Sequence, residues 1–121
     1  MNDNEIEDKG TETGIIRVSD EVVAIIAGKA ATEVEGVAGM SAGIVGGIAE
    51  ILGGKSPAKG VKVEVGEKQA AIDLYVIMEY GCRIPDVAWN IQERVKKSVE
   101  MMTGLIVVEV NIHIQGVQAE L

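Results

Sequence analysis

The sequence predicts an α+β two-layer sandwich, a small mixed sheet of three to four strands with two long helices on one face. Three observations carry that prediction. Val61, Val63 and Val65 alternate with Lys62 and Glu64, the period-two pattern of a half-buried strand. Ile72, Leu74, Val76 and Met78 share one face of the run from Ala71 to Tyr80, and Gly66-Glu67-Lys68-Gln69 supplies the polar turn that makes the two runs a hairpin. A helical segment over 85–103 then leads into a strand from about Ile106 to Gln115. The crossover from Tyr80 to Ile106 should be right-handed and leave its two strands parallel.

Taken in order, residues 1–13 carry Asp3, Glu5, Glu7, Asp8 and Glu12 against Lys9 alone, and predict a disordered acidic tail. Gly14–Val18 is a short edge-strand candidate. Ser19 suits a helix N-cap with Asp20 and Glu21 in the first turn, and the helix should run over about 20–35 and stop at Gly36. At 100° per residue Val22, Val23, Ile26, Ala30 and Val34 form one stripe. The opposite side holds Ala24, Gly28, Ala31 and Thr32, which suits either close approach by another helix or a plain exposed alanine face.

Residues 36–60 hold eight of the fifteen glycines and predict a mobile segment. Within it Ile44, Val45, Ile48, Ile51 and Leu52 share a helical face, while Gly43, Gly46 and Gly47 weaken that helix by roughly 1 kcal/mol each. A marginal amphipathic helix that forms on docking fits the pattern, against the chain's own core, another chain or a membrane surface. The second long helix is better marked. Pro85 fits its first turn and Gly104 its end, with Val87, Ala88, Ile91, Val95, Val99 and Met102 as the buried stripe. Trp89, the only indole, falls almost opposite that stripe, among Glu93, Lys96 and Glu100. The single domain should therefore span 14–117, with 118–121 as a tail.

Composition bounds the function. The 121 residues are 47 % apolar but include no Phe, one Trp and two Tyr, so the core must be aliphatic and stacking platforms for single-stranded nucleic acid are scarce. A net charge of −8 repels phosphate backbones and anionic lipid. One cysteine, Cys82, excludes an internal disulfide and suits a reducing compartment. No leader-like segment and no apolar run of spanning length is evident. The expectation is a cytoplasmic protein that reaches a membrane only through a partner.

Motifs that would carry chemistry fall short. Gly53-Gly54-Lys55-Ser56 resembles the end of a phosphate-binding loop, but Ala49 stands where the first glycine of the cradle is required. His113 is the sole histidine, grouped by alternation with Glu109, Asn111 and Gln115, and reads as a surface strand residue rather than a metal ligand. Cys82, ahead of a helix N-terminus, lacks a neighbouring base and reads as space-filling. Gly43-Ile44-Val45-Gly46 has the spacing of an RNA-binding G-x-x-G loop but an acidic, apolar setting. No catalytic residue, cofactor or metal is expected. The candidate interaction surface is Ile44, Ile48, Leu52 and Trp89, and homo-oligomers are expected from that much exposed apolar area.

One resemblance runs through the chain. Residues 14–23, then Ala31-Thr32-Glu33-Val34-Glu35-Gly36-Val37, Gly60-Val61-Lys62-Val63-Glu64-Val65, Glu79-Tyr80-Gly81, Ile84-Pro85, Gln92-Glu93-Arg94-Val95, Met102-Thr103-Gly104-Leu105 and Val108-Glu109-Val110-Asn111-Ile112 resemble, in order, the alkaline shock protein family of Gram-positive bacteria. The resemblance implies a non-enzymatic cytosolic protein linked to envelope stress, with protein partners that include a small membrane anchor for some members. It brings no active-site residues. The competing reading is a small binding or regulatory module for nucleic acid or a metabolic enzyme.

Overall fold

The computed structural model describes residues 13–41 and 58–119, which form two helices over one face of a four-stranded sheet. Helix α1, Asp20–Thr32, starts where Ser19 caps it, the hydroxyl accepting from the Val22 N–H at 3.3 Å. It is followed by strands β1 (Val37–Met40), β2 (Val61–Val65) and β3 (Gln69–Glu79). Helix α2 spans Ile84–Thr103, with Pro85 in its first turn and Gly104 at φ 79° closing it. Strand β4, Ile106–Gln118, completes the sheet.

β3 is the centre. One of its edges pairs with β4 in parallel over its whole length. The other edge is shared end to end: β2 takes the first half and β1 the second, both antiparallel. The junction is pinned by one residue. Tyr75 donates its N–H to Gly60 O and accepts from the Ser41 N–H, both at 2.8 Å.

The core is aliphatic and small. Ile72, Leu74, Val76 and Met78 of β3 are fully buried beneath Val23, Ala27 and Ala31 of α1 and Ile91, Val95 and Val99 of α2. Leu105, Val107 and Val110 extend it along β4. Arg94 joins the helices at their rim, its Nη2 lying 3.1 Å from Glu33 Oε1.

Several expectations need correction. Gly14–Val18 is not a strand, and Ile15 and Ile16 stand exposed. The fourth strand is β1, at the start of the glycine-rich stretch. A register shift between Val37 and Gly39 turns both Val37 and Met40 to the core, which hides its alternation. On α1 both sides are largely buried: Val23, Ala30 and Val34 of the expected stripe lie in the core, and Ala24, Gly28 and Ala31 of the small side are covered too, while Val22 is exposed. The two helices lie against each other, and side chains without bulk allow their close approach. Met102, expected in the α2 stripe, is exposed in the final turn.

Candidate interaction surface

On α2 the buried side chains Val87, Ile91, Val95 and Val99 recur every four residues, so the residues between them take the outer sides. Trp89 is 60 % exposed there, as its place in the periodicity requires. Ile44, Ile48 and Leu52, the other members of the surface expected from sequence, lie outside the described residues, as do Gly43-Ile44-Val45-Gly46 and Gly53-Gly54-Lys55-Ser56.

Along the flank of α2 that faces β4 runs a polar row at every fourth residue: Gln92, Lys96 and Glu100. Gln92 Nε2 donates to Val110 O at 3.0 Å, and Lys96 Nζ donates to Val107 O at 3.2 Å. The Glu100 carboxylate accepts from the Val107 N–H and from Lys96, both at 2.9 Å. The Lys96 hydrogen bond, then that from the Val107 amide, holds the Glu100 carboxyl below the usual carboxylate range. These side chains satisfy main-chain groups of β4 that, among the described residues, have no strand beside them.

The sheet face away from the helices carries Ala71, Asp73, Tyr75 and Ile77 of β3, opposite Glu109, Asn111, His113 and Gly116 of β4. Register shifts between Ala70 and Ala71 and between Val76 and Ile77 add residues to β4 at each end of that span. Glu109, Asn111 and His113 do share a face. Gln115 is the extra residue of the second irregularity, between the partners of Val76 and Ile77.

His113 stacks on Tyr75 with ring centroids 4.5 Å apart, and its Nε2 lies 3.0 Å from Asp73 Oδ1. Asp73 and Tyr75 face outward because they alternate with the buried residues of β3. Their meeting with His113 depends on the parallel register, which chain spacing does not reveal. The carboxylate orients the imidazole and the tyrosine covers its face, a self-contained arrangement rather than an open site.

Cys82 is half-buried and packs against the core near Gly36, consistent with a space-filling role. A wide depression of about 460 Å³ lies at the hairpin end between Asp20, Glu64, Gln69 and Val108, and the charged groups it offers are the two carboxylates. Among the described residues no three His, Cys, Asp or Glu side chains are placed to hold a metal ion. Nor is any described helix long and apolar enough to cross a membrane.

Residues 8–119 match the alkaline shock protein family, described as having a cell envelope-related function. The chain is 38 % identical over 121 residues to the uncharacterized protein YqhY of Bacillus subtilis, covering 98 % of this chain and 90 % of that one. It is 42 % identical over 110 residues to YloU of the same organism, covering 89 % and 92 %. A stress response regulator gls24 homolog of Streptococcus pyogenes is 32 % identical over 108 residues, covering 88 % of this chain and 60 % of that protein.

Proposed function

This chain belongs to the alkaline shock protein family, whose function is envelope-related, and on that premise we propose that it is a non-enzymatic scaffold of the envelope stress response. It acts in the cytoplasm and gathers protein partners, among them a small membrane anchor, and further copies of itself. The observation that carries this reading is Trp89, a large amphipathic ring held 60 % exposed on a rigid helix. Tryptophan is enriched at binding hot spots because it brings much contact area with few rotatable bonds. A non-enzymatic role is further supported by where the polar and charged side chains are engaged. His113 is occupied by Asp73 and Tyr75, Glu100 by Lys96 and Val107, and Arg94 by Glu33.

Affinity capture at native expression, followed by identification of the co-purifying proteins, tests the proposal. Recovery of a small membrane protein, lost on Trp89→Ala, is the expected result. Recovery of ribosomes or of a metabolic enzyme overturns it, as does RNA binding that weakens steeply with salt.

A further inference from the structure

Among the described residues, the outer edge of β4 is met by side chains along its first half and by none along its second. In a strand, successive residues turn their main-chain groups alternately to the two sides. Ile106 points inward, its N–H bonded to Lys68 O at 2.9 Å, and Gln118 does the same through the Tyr80 N–H at 3.1 Å. Val107 and Val110 point outward, where Glu100, Lys96 and Gln92 meet them. From Val110 to Ile114 the pairing with β3 has no register shift. Ile112 and Ile114 therefore stay in phase with Val110 and turn their N–H and C=O groups outward.

The capping row on α2 does not follow them. One turn before Gln92 on the same flank comes Trp89, whose indole has no acceptor to offer a main-chain N–H. An exposed strand edge is ordinarily blunted by charge, proline or a covering element. From Val110 to Ala119 this strand has no charged residue and no proline, in a chain of net charge −8.

We propose that this edge, unpaired among the described residues, pairs antiparallel with the same edge of a second copy, about a twofold axis passing beside His113. This rests on the self-association read above and names its surface. In that register Ile112 of each copy faces Ile114 of the other, both with outward main-chain groups, so each such pair closes two hydrogen bonds. His113 between them faces His113 of the second copy as a non-hydrogen-bonded pair, with Cα atoms about 4.5 Å apart. The ladder is fenced at both ends, by the Val110 carbonyl already taken by Gln92 and by the irregularity at Gln115. It therefore closes as a dimer and does not propagate.

The occupant is a second copy because charge selects it. Most of the surface of a strongly acidic chain opposes contact with itself, and this uncharged stretch does not. Val117, 46 % exposed on the core side of the same strand, and Trp89 supply apolar area at the rim.

Cross-linking reads the register directly. In a Cys82→Ser background, His113→Cys places two thiols within disulfide reach across the axis, and mild oxidation of purified full-length protein should convert most of it to a covalent dimer. Lys62→Cys, on the strand at the other side of the sheet, should give little. Ile112→Pro removes an outward N–H without touching the β3 ladder and should shift the wild-type dimer to monomer mass in sedimentation, with folding checked by circular dichroism. If Ile112→Pro does not fold, the cross-link comparison decides alone. A wild type that is monomeric at every concentration overturns the proposal, including one that binds a foreign extended peptide at this edge. Oligomers in which His113→Cys cross-links no better than Lys62→Cys also overturn it, while leaving self-association through another surface intact.

Discussion

Gly36 lies directly against Val87: a Cβ built on Gly36 would sit 2.7 Å from Val87 Cγ2 and 3.2 Å from Cγ1. Its φ of +102° is itself one that side-chain-bearing residues rarely adopt. The glycine lets the chain turn from α1 into β1 beneath the first turn of α2. Gly36→Ala should therefore destabilise the fold by about 2–3 kcal/mol, combining overpacking with an unfavourable backbone. Thermal melting measures the loss. Adding Val87→Ala should recover the steric part only, because the backbone term remains.

Trp89 and Ile91 stand two residues apart on α2 with opposite fates. Ile91→Ala opens a cavity in a fully buried site and should cost about 2–5 kcal/mol. Trp89→Ala should change stability by roughly 0.5 kcal/mol or less. Its effect should appear in partner capture instead. Chemical denaturation of the two variants, beside pull-down, separates a packing residue from a contact residue.

Glu100 provides a pH signature. Its carboxyl is held low in the folded chain by Lys96 first and the Val107 amide second. A depressed carboxyl adds stability above its unfolded value and loses it as the pH falls through the folded one. Glu100→Gln should be less stable than wild type by about 0.5–1 kcal/mol at neutral pH. That gap should hold from about pH 6 to 8 and close below about pH 4.5. Denaturant melts across that range check it; a gap that widens in acid would contradict the assignment.

Asp73→Asn replaces the carboxylate that meets His113 Nε2 in a half-exposed pair. A contact of this exposure contributes about 0–1 kcal/mol. The variant should fold normally, with a thermal melt within about 1 kcal/mol of wild type; a larger loss would contradict so exposed a placement.

Much of this architecture was legible because two signals were strong. The unbroken alternation of Ile72, Leu74, Val76 and Met78 marked β3, and the Pro85-to-Gly104 punctuation marked α2. The remainder was obscured by local departures from period. A shift inside Val37–Met40 hid β1, and the first irregularity in β4 put Val107 and Val110 on one face three residues apart. The small side of α1 also gave no hydrophobic contrast, since alanine suits a tight helix contact as well as an exposed face. Trp89 was placed correctly by helical phase. The Gln92, Lys96 and Glu100 caps and the Asp73–His113 pair were not visible, because both depend on how α2 and β3 align with β4.

Tyr75 holds Ser41 and Gly60 on the same edge of β3, so the chain leaves and re-enters the sheet at adjacent points. Gly60, with φ +75° and Ser41 O 2.8 Å from where a Cβ would stand, allows that approach. A connection whose two ends are fixed side by side is nearly indifferent to its own length, each doubling costing only about 0.6 kcal/mol in closure entropy. The main-chain bonds of Tyr75 thus act as a clasp, holding the end of β1 and the start of β2 in register on one edge of β3.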